Sequence, residues 1–236
     1  MVAYLFAAGN GMRLRPLTND IQKCLLPVGG KPMLEWWLEA SFDSECFDKI
    51  FVNVHYMADQ VKEWIEEYSD RKQRYIRVID ESPMLLGTAG TLFKHGDKTQ
   101  DFMIAYTDTF SMDFYCRLPR IVDEWERLSK IITAGLVTFT PPGDGSTGNL
   151  IVDSNELVTS FKEKAIGSKG LAWAGMMFAR KGFYNFINRD DKDIAKDVLP
   201  RLVGRMMAIE HVKAYDIGRG VEYYEQFNRD FDKQAI

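Results

Sequence analysis

The sequence predicts an α/β protein built on a doubly wound sheet that is mixed but mostly parallel. Short apolar runs with little polar alternation indicate strands buried on both faces, at 2–8, 49–54, 74–79 and 101–106. Amphipathic stretches of helical length alternate with them, at 33–45, 57–69, 88–95 and 114–129. Because β-α-β crossovers are right-handed, this alternation covers both faces of the sheet with helices. Ligands then bind in a crevice at the carboxyl ends of the strands.

After about residue 131 the pattern changes to strand-like segments joined by short connections, which predicts an inserted β layer. These strands are expected at 131–140, 149–152, 157–163, 171–179 and 209–214. Helices are expected near 180–188, 193–205 and 219–228. The Pro- and Gly-rich stretch 141–146 is typical of a loop and not of a domain linker, so we expect a single domain over 1–236.

Composition excludes several classes of function. A net charge of −4 argues against non-specific binding to nucleic acid or to an anionic membrane surface. Cys24, Cys46 and Cys116 form no metal-binding pair, and an odd set of cysteines is typical of a reducing compartment. The apolar segment 2–8 has no basic region before it and is too short for a signal sequence or a membrane span. The chain is therefore expected in the cytoplasm.

A glycine-rich loop follows the first strand and indicates phosphate binding. Gly9 and Gly11 allow a tight turn that brings backbone N–H groups against a phosphate, and Arg13 can contact two phosphate oxygens. A dinucleotide-binding loop would need glycine where Leu14 stands, and a Walker-type loop would need Ser or Thr where Pro32 stands. The loop alone leaves an ordinary strand-to-loop turn open as the alternative.

Residues 13–18 (RLRPLT) and 22–34 (QKCLLPVGGKPML) follow this loop. Over this stretch the chain resembles the sugar-1-phosphate nucleotidylyltransferases, and a weaker resemblance continues to the C-terminus. It is most similar to the mannose- and heptose-1-phosphate guanylyltransferases. The chain departs from the family where it carries Asn10 for glycine, Met12 for a hydroxyl residue, Gln22 and Cys24 for the prolines around the motif lysine, and Thr107 for glycine.

The resemblance implies a Rossmann-like, GT-A-like nucleotidyltransferase fold. It divides the chain into a nucleotide-binding part at 1–130 and a sugar-phosphate-binding part at 131–236. It assigns Arg13 to the leaving pyrophosphate and Lys23 to the phosphates at the reacting centre, where a solvated surface cation is the alternative. The implied nucleotide contacts are Ala8, Gly9, Gly11, Met12, Arg13, Lys23, Glu81, Gly87 and Thr88.

Two aspartates follow predicted strands and are expected to bind Mg²⁺. Asp108 comes after strand 101–106 and Asp216 after strand 209–214, which directs both toward the crevice. The family has metal-binding aspartates in both segments, and turn-capping aspartates are the alternative. A glycosyltransferase with a similar sheet would need a second acid at position 110, where Phe110 stands.

The resemblance also suggests which base and which sugar are bound. Residues 86–91 (LGTAGT) match the GTP-using branch, which favours guanine over uracil or cytosine, although Thr88 could simply cap a helix. Trp173 replaces the usual sugar-contacting asparagine, and an indole can stack on a sugar but cannot accept a hydrogen bond. This departure leaves the identity of the sugar open. The implied sugar-phosphate contacts are Gly148, Glu163, Lys164, Trp173 and Gly175.

The expected reaction joins a nucleoside triphosphate to a sugar 1-phosphate and releases pyrophosphate, with Arg13, Lys23 and Asp108 as catalytic residues. A phosphomonoester has a second pKa of about 6, so the attacking oxygen needs no general base. The alternatives are a UTP- or CTP-dependent enzyme of the same kind and a non-catalytic regulatory homologue that senses nucleotide sugars. The oligomeric state is left open, and a homo-oligomer is one of the options.

Overall fold

The computed structural model describes residues 1–141, 149–162 and 170–234. Within them the helices are α1 Met33–Asp43, α2 Ala58–Lys72, α3 Gly87–His95, α4 Met112–Arg127, α5 Val221–Arg229 and α6 Phe231–Gln234. The strands are β1 Val2–Phe6, β2 Pro27–Val28, β3 Lys31–Pro32, β4 Lys49–Val54, β5 Arg77–Asp80, β6 Phe102–Tyr106, β7 Thr109–Phe110, β8 Ala134–Phe139, β9 Asn149–Val152, β10 Val158–Lys162, β11 Ala172–Ala179, β12 Met206–His211 and β13 Tyr215–Asp216.

The main sheet is mixed and mostly parallel, which confirms the predicted fold class. Over the described ranges its seven strands have the order β12-β8-β11-β6-β1-β4-β5. Strand β4 runs parallel to both β1 and β5, and β12 runs parallel to β8, whereas β11 pairs with β8 in the antiparallel sense. Strands β1 and β11 are buried along their whole length, as expected of strands covered on both faces.

Two predicted helices in the second half of the chain are wrong. Where helices were expected near 180–188 and 193–205, the chain forms a 3₁₀ turn at Lys181–Phe186, a π turn at Ile194–Val198 and a second 3₁₀ turn at Leu199–Leu202. Pro200 has no N–H group to donate to the preceding turn, so a continuous α-helix is unfavourable there. The predicted strand 209–214 lies earlier, at β12.

The chain forms two compact units, and each is assembled from separate stretches. The first unit comprises Val2–Leu85, Ala105–Leu118 and Ala214–Ile236; the second unit comprises Met1, Leu86–Ile104 and Pro119–Lys213. The predicted functional division near residue 130 stays a prediction. In the part of the chain that the structure describes, no helix is long and apolar enough to cross a membrane.

An aromatic cluster joins the C-terminal helices of the first unit to the core of that unit. Phe110 is fully buried, and its ring contacts the rings of Trp36, Phe227 and Phe231. The Tyr224 hydroxyl donates a hydrogen bond of 2.7 Å to the carbonyl of Pro27, which fixes α5 against the β2–β3 turn. Phe110 is therefore a core residue. This position does not carry the second acid that a glycosyltransferase with a similar sheet would need.

In the second unit, one buried arginine after β11 contacts the end of α4. The Arg180 guanidinium is 2.9 Å from Asp101, donates to the backbone carbonyl of Trp125 at 2.8 Å, and lies 4.1 Å from the centre of the Trp125 ring. Only 8% of Arg180 is exposed. The Asp101 carboxylate balances the positive charge of the guanidinium and offsets the free-energy cost of burying it.

The β2–β3 turn provides a test of this packing. Gly29 and Gly30 both have positive φ, so alanine at either position carries a backbone cost of about 1–2 kcal/mol. A Cβ on Gly29 would also collide with the Phe231 ring, whereas a Cβ on Gly30 meets nothing within 4 Å. We expect Gly29→Ala to lower the free energy of unfolding by about 1–3 kcal/mol more than Gly30→Ala, because of overpacking.

Urea unfolding of the two variants measures this difference. In a Phe231→Leu background the difference should shrink, since the two positions are in contact. Equal losses for the two glycines would contradict the packing described for α6.

Candidate active site

The predicted phosphate loop closes onto the backbone around Lys23. Gly11 has a φ of 62°, and a Cβ on it would lie 2.9 Å from Thr18 Cγ2 and 3.2 Å from Lys23 Cβ. The Thr18 hydroxyl donates a hydrogen bond of 2.8 Å to the Gly11 carbonyl. Only glycine fits this left-handed, crowded position. Because Gly11 has no Cβ, the loop can approach the backbone at Lys23 closely.

Met12 and Arg13 follow Gly11 in a short 3₁₀ turn, Met12–Leu14. Both side chains are exposed, Met12 to 62%. The Met12 amide lies 3.5 Å from Asn10 Oδ1, which is a weak contact at most. The structure therefore presents Arg13 at the surface of the loop, where an anion can reach it.

Glu81, a predicted nucleotide contact, lies at the end of a buried hydrogen-bond chain. Its Oε1 accepts from Asn53 Nδ2 at 2.8 Å, and Asn53 Oδ1 accepts from the Ala7 amide at 2.7 Å. Glu81 and Asn53 are each 4% exposed. Glu81 thus supports the start of the phosphate loop through Asn53, and its contact with a nucleotide stays a prediction.

Lys23 and Asp108 form an ion pair between the Lys23 ammonium and Asp108 Oδ2. The side chains are only 14% and 27% exposed, respectively. Asp108 follows β6, and Thr107 before it donates through its backbone N–H (3.2 Å) and its hydroxyl (2.9 Å) to the Phe6 carbonyl at the end of β1. The threonine that departs from the family glycine therefore ties the ends of these two strands together.

A short antiparallel ladder brings Asp216 beside Asp108. In the pairing of β7 with β13, Asp216 lies opposite Thr109. The Ile217 amide donates to the Asp108 carbonyl at 2.9 Å, and Asp216 Oδ1 accepts from the Gly218 amide at 2.9 Å. These contacts fix the backbone on both sides of the two carboxylates.

The pKa values of Asp108 and Asp216 are shifted in opposite directions. Burial acts to raise the pKa of Asp108, but the charge and hydrogen bond of Lys23, together with Arg13, outweigh it and lower that pKa. The pKa of Asp216 is raised, first by burial and second by the negative charge of Asp108, which Lys23 and Arg13 only partly offset. The two carboxylates and the two cations are therefore close enough for their charges to affect one another.

The donor set suits a divalent cation held jointly with substrate. Among the described residues there is no group of three or more His, Cys, Asp or Glu side chains that could hold a metal alone. Mg²⁺ binds one or two protein carboxylates and completes its shell with water and phosphate oxygens. Burial first and the Asp108 charge second raise the pKa of Asp216, and a bound cation would stabilise its ionised form against both. Asp108 and Asp216 therefore fit Mg²⁺.

Cys24 follows Lys23 directly but is not a nucleophile. It is 2% exposed, and burial raises the pKa of its thiol well above the usual value. A thiol that stays neutral at physiological pH is a weak nucleophile and a poor metal ligand.

In the second unit, the predicted base-binding segment packs on a neighbouring loop. Gly87 has a φ of 78°, and a Cβ on it would collide with the backbone of Lys192. The Thr88 hydroxyl accepts a hydrogen bond of 3.0 Å from the Ile194 amide, and no side chain caps α3. This segment is held rigidly, and its contact with a base stays a prediction.

Trp173 and Gly175 lie in β11 where its pairing with β8 is irregular. The Trp173 indole is 8% exposed, and its N–H donates to the Met176 carbonyl at 2.8 Å. Gly175 has a φ of 76°. The indole packs inside the unit, so a stacking contact with a sugar stays a prediction. Gly148, Glu163 and Lys164 lie outside the described residues.

Comparison with known proteins identifies the family. The family model described as nucleotidyl transferase matches residues 2–233. The chain belongs to the nucleotidyl transferase family.

Members of this family with different substrates match the chain. It is 31% identical over 205 residues, 85% of its length and 54% of the relative, to a putative mannose-1-phosphate guanyltransferase of Sulfolobus acidocaldarius. It is 28% identical to a UTP–glucose-1-phosphate uridylyltransferase of Synechocystis, over 95% of the chain and 62% of the relative. The chain therefore spans little more than half the length of these relatives.

A solved structure supports the fold assignment. HddC from Yersinia pseudotuberculosis superposes with a TM-score of 0.73, at 22% identity, over 98% of this chain and 99% of that one. At this level of identity the likeness shows a shared fold.

Gly218 is a site residue that sequence reasoning did not single out. A Cβ on Gly218 would collide with Lys23 Nζ and would lie 3.1 Å from Asp108 Oδ2. Gly218 therefore leaves the space that the ammonium occupies next to its carboxylate. Its place two residues after Asp216 in a family motif was the available signal.

We expect Gly218→Ala to drive the Lys23 ammonium away from Asp108 and leave a poorly compensated carboxylate. The free energy of unfolding should fall by about 1–3 kcal/mol. Gly220→Ala is the matched control, since its Cβ would lie 3.9 Å from the Arg13 carbonyl and its φ of 163° is extended backbone.

The control should stay within about 0.5 kcal/mol of the parent protein in urea unfolding. A crystal structure of Gly218→Ala in which Lys23 still contacts Asp108 would contradict this description.

Proposed function

We propose that the chain transfers a nucleoside monophosphate from a nucleoside triphosphate to a sugar 1-phosphate and releases pyrophosphate. The observation that carries the proposal is the cluster formed by Arg13, Lys23, Asp108 and Asp216 around the ends of buried strands. Such a cluster can bind phosphates and a divalent cation together. The family and the named activities of its members support the same reaction.

Charge repulsion is the main obstacle to this reaction. Two unit charges of the same sign at ~4 Å repel by about 4 kcal/mol at an effective dielectric near 20, and both substrates carry several. Arg13 and Lys23 would offset this repulsion and stabilise the charge that develops on the leaving pyrophosphate. A sugar-phosphate oxygen forms the new bond to the α-phosphorus as the bond from that phosphorus to the bridging oxygen breaks.

Lys23 would change partner during the reaction. In the free protein its ammonium pairs with Asp108. Asp108 and Asp216 would hold Mg²⁺, which when bound supplies positive charge to the phosphate oxygens. Lys23 would then turn from Asp108 to the phosphates of the nucleotide.

We favour GTP and a mannose- or heptose-type sugar 1-phosphate. Gly87 and Thr88 belong to a segment similar to the guanine-using branch, and the Sulfolobus relative is named for GTP and mannose 1-phosphate. In this proposal 1–130 binds the nucleotide, and 131–236 binds the sugar phosphate through Gly148, Glu163, Lys164, Trp173 and Gly175. A cytoplasmic location also belongs to the proposal and is supported by three free cysteines.

A UTP-dependent reaction is the second candidate, supported by the similarity to the Synechocystis uridylyltransferase. A matrix of the four nucleoside triphosphates against mannose-, heptose-, glucose- and N-acetylhexosamine 1-phosphates, read by pyrophosphate release with Mg²⁺, decides between them. Release with UTP and not GTP would favour the second candidate. No release with any pair would point to a non-catalytic homologue.

Lys23→Ala and Asp108→Asn should each lower kcat by about 10²–10³-fold, because the first removes positive charge from the reacting phosphates and the second removes a carboxylate proposed to hold Mg²⁺. Lys62→Ala is the matched control, since it breaks a surface ion pair with Asp80 that lies apart from the cluster. The control should keep its turnover. Near-parental turnover in either cluster variant would contradict the role given to that residue.

A further inference from the structure

Gln22 departs from the family, and its side chain is buried and hydrogen-bonded inside the first unit. It is 1% exposed. Its Nε2 donates to the carbonyls of Ala7 at 2.6 Å and Gly9 at 2.9 Å, and its Oε1 accepts from the Cys24 amide at 2.5 Å. One amide group therefore joins the phosphate loop to the turn that carries Lys23.

Gln60 on α2 holds the backbone of the same residue. Its Oε1 accepts from the Gln22 amide at 2.7 Å, and its Nε2 donates to the Asp20 carbonyl at 2.8 Å. Proline, the family residue, has no N–H and could use neither Gln60 nor the side-chain bonds. Gln22 and Gln60 therefore form one hydrogen-bonded unit, called here the glutamine brace, which proline cannot replace.

The brace determines which way the peptide groups of the loop point. In a trans peptide the C=O of one residue and the N–H of the next point in opposite directions. Because the Ala7 and Gly9 carbonyls point at Gln22, the N–H groups of Ala8 and Asn10 point away from it. Within the described residues, neither N–H has a hydrogen-bond acceptor. Free amides beside a cationic loop are suited to phosphate oxygens.

We propose that Gln22 is a positioning residue for the triphosphate. It holds the loop amides and the Lys23 turn in one fixed relation, so that both meet the same phosphate chain. Asn53 completes the support by accepting from the Ala7 amide, so that the Ala7 peptide groups are held from both sides. The inference rests on the proposed function for its kinetic consequences, whereas its effect on anion binding stands apart from that function.

The kinetic test compares Gln22→Leu with the parent enzyme. Leucine keeps the approximate size of the side chain and removes all three of its hydrogen bonds. We expect kcat/KM for the nucleotide to fall about 10- to 100-fold, because the phosphates lose their aligned donors. The KM for the sugar 1-phosphate should stay within about twofold. Gln226→Leu, the same change at an exposed position of α5, is the control and should change neither.

Two further variants separate positioning from folding. Gln22→Pro restores the residue usual in the family, and we expect it to lose as much nucleotide kcat/KM as Gln22→Leu does. Gln60→Leu leaves the buried side chain in place, so the fold is kept, and the loss should be smaller but equally specific for the nucleotide. A fully active Gln22→Pro variant would overturn the proposal, as would equal losses toward both substrates.

Titration calorimetry with magnesium pyrophosphate keeps this test apart from the proposed function. If the parent protein transfers no nucleotide with any substrate pair, the proposed function fails, yet pyrophosphate affinity can still be compared. We expect Gln22→Leu to bind pyrophosphate about 10-fold more weakly than the parent and the Gln226→Leu control. Equal affinities would overturn the role of Gln22.

Discussion

The ion pair between Lys23 and Asp108 is the constraint on which the candidate site depends. With only 14% and 27% of their side chains exposed, Lys23 and Asp108 stabilise each other's charge, so neighbouring elements must leave room for their contact. Gly218 has no side chain because the ammonium fills that space. Thr107 ties the strand before Asp108 to the end of β1, and the β7–β13 ladder adds a second carboxylate. Gly218, Thr107 and the β7–β13 ladder therefore all help to position the charged side chains around Lys23 and Asp108.

The sheet could be predicted from the sequence because its signals are local. Strand β4 begins and ends where its apolar run does, and the strand predicted at 101–106 differs from β6 by one residue. The helical turns after β11 could not be predicted in the same way. Their apolar spacing resembles that of an α-helix, but the backbone forms a π turn followed by a 3₁₀ turn that contains Pro200. Periodicity reports which residues are buried and does not report how the backbone closes its hydrogen bonds.

For the candidate site, motifs predicted the charged residues, and tertiary packing decided the rest. Arg13, Lys23, Asp108 and Asp216 lie in recognisable segments, and the structure brings them together. Gln22, Asn53 and Gly218 act through contacts with residues distant in the chain, and the local sequence around each residue does not show those contacts. Gln22 and Thr107 stood out only as departures from a pattern. The side chains of both residues form hydrogen bonds that the usual proline or glycine could not form.

The β7–β13 ladder has a consequence for protein synthesis. Asp108 emerges from the ribosome long before its partner strand, and the carboxylate of Asp216 meets it only when Tyr215–Asp216 pairs with Thr109–Phe110. Translation therefore delays assembly of the acidic pair until the ribosome has passed Asp216, and a shorter nascent chain carries Asp108 without its second carboxylate.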